Sequence, residues 1–530
     1  MTPINLFNAA DYLLDRQLRN DNGDRPAVEC GAVTLTYAEL ADEAQQVAAG
    51  FRAIGVRPEE RVMLCMADGV ELLTGILGAM YLGAVPVPVS TMLTGDELAF
   101  MLDDSRARVL CVSVEFAEVA RTALAKATEV AHVVVDGPAD LDAIQWSELR
   151  SGDAPAPRYA TWPDSPCLWL YTSGTTGTPK GAMHRHHSVS AVAELYGRGV
   201  LDIGPEDRCL SVPKLFFAYG LGNSAFFPLA TGATTILQRA RPTPRGTAEL
   251  AASARPTLFF AVPTFYAALL NSDVPDDSFA SVRQGISAGE PLPQVLYHRF
   301  RERFGVEILD GLGSTEALHI FLSNRTGQVH PGSSGTPVTG YQVQLRDERG
   351  AAIEEAGVPG DLFVSGPSIA TGYWCRTETT RAVFQGEWLR TGDTYTRNED
   401  GTYTCLGRSN DMLKAGGIWV SPAEVEERLL QHPDIVEAAV VAAPDNDGID
   451  KPVACVVPAE GHPVDADALI QWCRDGLAAY KRPRAVVRMA ELPKTATGKI
   501  RRNVLRERVV DELVGWPASA PPGDDETVLT

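Results

Sequence analysis

Apolar positions in the first half of the chain follow two spacings. Thr36-Tyr37-Ala38-Glu39 has the spacing of a helix capping box. After it, Leu40, Val47, Phe51 and Ile54 fall on one helical face, and Gly55 reads as a stop. RVMLCM, from Arg61, is a continuous apolar run of the kind a buried strand makes. A helix-like stretch follows, then VLCVSV and HVVVD, which are again strand-like. Strand, helix, strand in this order predicts βαβ units and a mostly parallel sheet. SPCLWLYTS, TLFFAV after Pro256 and VEILDG after Gly305 repeat the strand signature. Beyond about residue 410 the texture changes. VSPAEVEERLLQ and DADALIQWCRDGLA read as helices, and IVEAAVVAA and PVACVVPA as strands. They predict a small α+β C-terminal domain.

Composition narrows the function class. The 530 residues suffice for more than one domain, and 45% hydrophobic with 22% charged residues is ordinary for a globular chain. A formal net charge of -21 repels phosphate backbones and argues against a nucleic-acid partner. A polyanionic nucleotide would therefore need a locally built site. Nine cysteines without a C-x-x-C spacing point away from a disulfide framework or zinc site and fit a reducing cytoplasm. The N-terminus does not read as a signal peptide, and no apolar run approaches the roughly 18 residues of a membrane span.

One segment carries candidate chemistry on its own. Tyr171-Thr172-Ser173-Gly174-Thr175-Thr176-Gly177-Thr178-Pro179-Lys180-Gly181 packs three glycines, five hydroxyls and a lysine directly after a predicted strand. Glycines let successive N–H groups converge on an anion, hydroxyls add donors, and Lys180 adds a full positive charge. The G-x-x-x-x-G-K-[ST] pattern does not fit, so this is not a Walker A loop.

The loop resembles the phosphate loop of the acyl-CoA synthetase, adenylation-domain and luciferase superfamily, and further motifs follow in that family's order. Gly289-Glu290-Pro291 and Asp310-Gly311 resemble its adenine-binding segments. Gly313-Ser314-Thr315-Glu316 resembles the motif whose Thr contacts phosphate and whose Glu helps to hold Mg2+. Thr391-Gly392-Asp393 resembles the ribose motif, and Gly407-Arg408 the start of the interdomain hinge. Pro493-Lys494-Thr495-Ala496-Thr497-Gly498-Lys499 resembles the segment with the catalytic lysine. The resemblance implies an α/β fold. Residues 1–409 would form a large AMP-binding domain of mostly parallel sheets with helices and a β-rich subdomain. Residues 410–515 would form a small mobile α+β domain, while 516–530, rich in Pro, Ala, Gly and Asp, read from composition as a disordered tail. It also implies ATP, Mg2+ and coenzyme A as reactants and cofactor, with Lys499, Glu316 and Thr315 catalytic. Thr172, Ser173, Gly174, Thr175, Thr176, Gly177 and Lys180 would hold phosphates, and Asp393 and Arg408 would serve the ribose side. Asn410 stands at the hinge where the family usually has Asp or Lys. Gly416-Gly417 would line a tunnel for a pantetheine arm, or form a simple turn between two strands.

The acid is the least determined part. Lys214-Leu215-Phe216-Phe217-Ala218-Tyr219-Gly220-Leu221-Gly222-Asn223 and the run from Gly313 to Phe321 resemble the corresponding stretches of benzoate-CoA ligases. Phe217, Ala218, Tyr219, Gly220, Gly313, His319 and Ile320 would then line a flat slot suited to a benzoate-like acid, with Tyr219 as an aromatic wall. Arg325 departs from some benzoate enzymes at the pocket edge and leaves ring substituents open. His184, His186 and His187 cluster past the loop without a carboxylate or cysteine at ligand spacing, so structural roles are expected over a metal site. The leading expectation is an AMP-forming aryl-CoA ligase, monomeric or homodimeric. Three alternatives stand beside it. The acyl group could pass to the phosphopantetheine of a carrier protein. The fold could activate nitrite for an arylamine. It could also serve as a non-catalytic binding protein, against which the retention of Lys499, Glu316 and Asp393 argues.

Overall fold

The computed structural model describes residues 5–150, 157–173, 178–409, 413–415, 418–444, 450–462, 464–477, 481–494 and 500–512. The capping box forms as its spacing predicts. The Thr36 hydroxyl accepts from the Glu39 N–H, the Glu39 carboxylate accepts from the Thr36 N–H, and the helix runs Tyr37–Ala53. The chain turns at Gly55, where φ is +89°. The next apolar runs are strands Arg61–Cys65, Val109–Ser113 and His132–Asp136, which pair in parallel with each other and with Val85–Pro88 and Ile144–Gln145. Strands this continuously apolar need cover on both faces. Helix Val70–Leu82, buried along nearly its whole length, supplies part of it.

A second sheet frames the site. Among the described residues it holds nine strands. Its centre is six parallel strands in the order Ile308–Gly313, Gln284–Ser287, Leu258–Ala261, Arg208–Ser211, Thr234–Leu237 and Pro26–Cys30. Antiparallel strands close both edges: Ile320–Ser323 then Thr336–Pro337 at one, Val33–Thr36 at the other. The run SPCLWLYTS departs from the parallel expectation. Strand Pro166–Ser173 folds back antiparallel on Pro179–Arg185, with Thr172 opposite Lys180 and Ser173 opposite Pro179. A parallel partner needs a crossover of a dozen or more residues, and the Gly/Thr segment is too short for one. A third, antiparallel sheet contains Gln342–Arg346, Gly360–Ser365, Trp388–Arg397 and Tyr403–Arg408.

The C-terminal domain is a three-stranded sheet of Ile435–Pro444, Asp450–Pro458 and Ala485–Arg488. Its strands alternate, and so serve two cores. Val440, Ala442, Ala454 and Val456 pack with Val425, Leu429, Leu469 and Cys473 of helices Pro422–Leu430 and Ala466–Arg474. Ala439, Val441, Val453 and Cys455 pack with Leu505 and Val509 of helix Arg502–Glu512. The chain is thus a mixed α/β protein with a large N-terminal domain of mostly parallel sheets and a C-terminal domain, as the sequence predicts. Carboxylates of each domain reach toward the other. Glu290 accepts the Ile500 N–H at 3.2 Å, and Glu427 faces the backbone N–H of Gln294, which lowers its carboxyl against the burial that raises it, at the first residue of helix Gln294–Phe304.

Candidate active site

In an open parallel sheet, ligands bind beyond the carboxyl ends of the strands. Three of the sequence-identified segments leave the large sheet at that edge. The Lys214–Asn223 motif follows strand Arg208–Ser211, Gly289-Glu290-Pro291 follows Gln284–Ser287, and Asp310 through Glu316 closes Ile308–Gly313. Ser287 and Asp310 are register partners, which puts the two adenine-type segments side by side.

The Pro166–Ser173 and Pro179–Arg185 hairpin is held from two directions. On one side the Tyr171 hydroxyl donates to Asp104 at 2.8 Å. The Asp104 side chain, only 10% exposed, also takes the Arg376 guanidinium at 2.6 Å, and its carbonyl takes the Trp374 indole N–H at 2.9 Å. On the other side residues 368–374 run along the hairpin. Met183 N–H donates to the Gly372 carbonyl, Thr371 N–H to Met183, and Trp374 N–H to Gly181. The same segment binds the Gly313–Glu316 turn: Ala370 N–H donates to the Glu316 carbonyl at 2.8 Å and the Ser368 hydroxyl to the Ala317 carbonyl at 2.6 Å. Within it, the Tyr373 hydroxyl donates to Glu316 Oε1 at 2.6 Å, and Lys180 Nζ stands 4.9 Å from the centre of the Tyr373 ring. Burial, reinforced by the Glu316 carboxylate, pushes the Tyr373 phenol well above its usual range, so it stays a donor. Thr315 presents its carbonyl to His184 Nε2 at 2.8 Å.

The nucleotide-type residues sit beside this turn. The Asp310 carboxyl is buried, its Oδ1 has no hydrogen-bond partner, and burial drives it well above the usual carboxylate range. Its carbonyl is fixed by the Asn324 N–H at 3.0 Å and the Asn324 amide at 3.1 Å. Gly311, next in sequence, lies against strand Ile320–Ser323, where a Cβ would meet Ile320 Cγ2 and the Leu322 carbonyl at 2.9 Å. Gly289, at φ +97°, makes the turn into Glu290-Pro291 in a backbone region that favours glycine. Asp393 is buried, and Arg408 reaches it at 3.1 Å from the paired strand. The carboxylate raises the Arg408 guanidinium further.

The acyl-type residues form an aromatic box. His319 is 3% exposed, with ring centres of Phe227, Tyr196 and Tyr219 at 4.5, 5.4 and 5.4 Å. Its Nε2 faces two acceptors, Asn223 Oδ1 at 3.1 Å and the Tyr219 carbonyl at 3.3 Å, so Nε2 carries the proton. Burial holds the imidazole down at about 3, and it is neutral at working pH. The Tyr219 hydroxyl donates to the Ile286 carbonyl at 3.1 Å, which fixes its ring. Phe217 caps the short helix Ala218–Leu221. Ala218 and Tyr219 are half-buried, while Ile320 is buried. The glycines do more than leave room. A Cβ at Gly220 would stand 2.0 Å from the Lys214 carbonyl oxygen, and one at Gly313 2.7 Å from that of His319. Arg325 spends its guanidinium on the carbonyls of Ser323, Asn324 and Pro337 at 2.6, 3.3 and 3.0 Å.

The histidine cluster disperses. His184 bonds the Thr315 carbonyl, His186 Nδ1 accepts the Ala9 N–H at 3.0 Å, and His187 is exposed. Gly174, Thr175, Thr176, Gly177, Asn410, Gly416, Gly417, Lys499 and the tail from 516 lie outside the described residues, as does the Ser173 side chain. Lys499 is followed by Ile500, whose contact with Glu290 brings the lysine segment's flank to the adenine-type segment.

The AMP-binding enzyme family model matches residues 14–374, and the AMP-binding enzyme C-terminal domain model matches 424–499. The chain belongs to the AMP-binding enzymes. Within that family it is 45% identical over 505 residues to a benzoate–CoA ligase of Thauera aromatica, covering 94% of this chain and 96% of the relative. A benzoate CoA ligase from Burkholderia xenovorans LB400 superposes with a TM-score of 0.89 at 43% identity, covering 94% of this chain and 100% of that one. The anthranilate CoA ligase AuaEII, solved in complex with anthranoyl-AMP, gives 0.90 at 37% identity, covering 95% and 97%.

Among the residues of this AMP-binding enzyme that sequence reasoning missed, Tyr373 and Asp104 stand out. Tyr373 lies 57 positions from Glu316 and Asp104 67 from Tyr171. Neither belongs to a glycine-rich or charged motif that would have marked it. Ala370-Thr371-Gly372-Tyr373-Trp374 offered only two adjacent aromatics.

Proposed function

We propose that this enzyme adenylates a benzoate-like acid with ATP and passes the acyl group to coenzyme A. The observation that carries the reading is the convergence, at one sheet edge, of the Lys180 hairpin, the Glu316 turn and the Tyr219/His319 box. It occurs in a chain 45% identical to a benzoate–CoA ligase over nearly its full length. In the first step a carboxylate oxygen attacks the α-phosphorus, the bond to the β-phosphate bridging oxygen breaks, and pyrophosphate leaves. Hydroxyls of the hairpin loop and Lys180 hold the departing phosphates. Asp393 accepts from the ribose hydroxyls, and the bare Asp310 oxygen suits an amino donor of the base. Lys499 places its ammonium between carboxylate and α-phosphate, where negative charge accumulates.

Glu316 fits a Mg2+ site of the usual kind. The Glu316 carboxylate, which accepts from the Tyr373 hydroxyl, would hold the ion together with substrate phosphate and water oxygens. Bound there, the ion neutralises phosphate charge. The second step is thiolate attack on the acyl carbon with release of AMP. It needs the lysine segment withdrawn, so we assign residues 1–409 to a fixed domain and 410–515 to a moving one. No helix among the described residues is long and apolar enough to cross a membrane, and the free cysteines suit a reducing cytoplasm.

ATP–pyrophosphate exchange and product mass spectrometry test the reading. The panel is benzoate, hydroxy- and aminobenzoates, cinnamates and medium-chain fatty acids, with and without coenzyme A. The expected result is exchange and a CoA thioester with a benzoate-class acid. Lys499→Ala should lose exchange by orders of magnitude while keeping ATP affinity, since the lysine acts on the transition state. Equal exchange by both proteins would remove the assignment of Lys499. Acyl-AMP accumulating despite coenzyme A would remove the acceptor.

A further inference from the structure

Tyr373 touches two groups that arrive from different sheets. Its hydroxyl holds Glu316 Oε1 at 2.6 Å, and its ring lies under the Lys180 ammonium at 4.9 Å. Its backbone bridges to Ala182 of the hairpin. Its ring packs against Phe384 at 5.4 Å, its N–H donates to Thr380 Oγ1 at 3.0 Å, and Trp374 and Arg376 just beyond it are fastened to Asp104. The side chain is therefore fixed from behind and has little freedom to follow its partners. A phenol held rigidly against one carboxylate oxygen sets the orientation of the other. A ring face held under an ammonium favours the placement of the cation over it.

We infer that Tyr373 is a positioning residue. It orients Glu316 for the divalent cation that accompanies ATP and keeps Lys180 in register with that cation across the phosphate site. The inference rests on the ligase reading above and adds a residue to it. Tyr373 touches neither the acid nor the reacting phosphorus. It acts through Glu316 with its hydroxyl and through Lys180 with its ring, and the two roles separate by substitution. Tyr373→Phe removes only the first and keeps the ring contact with Phe384. Tyr373→Leu removes both.

Calorimetry of ATP binding across a Mg2+ series, on the full chain, distinguishes the possibilities. Tyr373→Phe should raise the Mg2+ concentration for half-maximal gain in ATP affinity by about 10-fold or more, the usual effect of losing a hydrogen bond behind a metal ligand. Its Mg2+-free ATP affinity and its KM for the acid should stay unchanged. In a Glu316→Gln background the same substitution should have no further effect on the Mg2+ series. Tyr373→Leu should weaken Mg2+-free ATP binding as well. An unchanged Mg2+ series in Tyr373→Phe overturns the inference, and so does an equal loss in the Glu316→Gln background, which would mark a merely structural role. If the wild type shows no Mg2+-dependent ATP binding, the ligase reading itself falls and the inference with it. If the wild type binds normally and only the variant series is flat, the ligase reading stands and the role of Tyr373 alone is lost.

Discussion

Asp68 is 4% exposed, and its nearest cation, Lys214 Nζ, stands 3.9 Å away. Its carboxylate also accepts the Leu215 N–H at 3.2 Å, at the start of the acyl motif. Burial outweighs both partners and pushes Asp68 up to about 6. The sign follows from linkage. Between the unfolded and folded values the native state binds more protons, so stability falls as pH rises through that window. Asp68→Asn keeps an acceptor for Leu215 and does not titrate. Relative to wild type, its unfolding free energy should improve by about 2–3 kcal/mol between about pH 4 and about pH 7. Denaturant melts at several pH values check this, and a difference flat with pH would refute it. The buried His319 makes the opposite case. It is already neutral from about 3 upward and adds no step to an activity profile near neutrality.

Strand pairing bears on what the glycines of the proposed acyl site are for. Gly313 pairs with Ile320, and its missing Cβ leaves space for the His319 carbonyl. Gly313→Ala should lower stability by about 1–3 kcal/mol, because backbone and not a flexible side chain must move. Ala218→Leu, on the half-buried start of helix Ala218–Leu221, should leave the melting temperature nearly unchanged and raise KM for benzoate strongly. If both variants melt like wild type and lose benzoate equally, the glycine is a slot residue after all. This distinction was not legible in the sequence, where a glycine beside an acyl motif reads as empty space. Local signals were legible: the Thr36 capping box, the strand from Arg61 and the apolar runs of the C-terminal strands all read through, because such runs and caps act within a few residues. Partners separated by tens of residues did not. SPCLWLYTS looked like any buried strand, and its antiparallel return on Pro179–Arg185 came only from the structure. The Tyr373–Glu316 bond and the Asp104 anchor join positions that no periodicity links.

At the scale of the whole molecule, carboxylates of each domain face backbone N–H groups of the other. Glu427 faces the Gln294 N–H at the start of a helix, where negative charge is favoured by roughly 0.5–2 kcal/mol. Glu290 takes the Ile500 N–H beside the lysine segment. Glu427→Ala should loosen this orientation. A fluorophore on each domain should report a broader distance distribution, and the adenylation step should slow several-fold while thioester formation from supplied acyl-AMP does not. An unchanged distribution would mean that the contact does not bias the domains. The crowding around Gly220, Gly222, Gly311 and Gly313 has a consequence of another kind. Each of these positions has a backbone atom or another residue's side chain within 3 Å of where a Cβ would stand. Inherited variation therefore has no gradual path through any of them, since the first added carbon already damages the wall. Ala218 already carries a Cβ, on the half-buried start of its helix. A lineage drifting toward bulkier or slimmer acids would record its history at that position, while the glycines around it stayed silent.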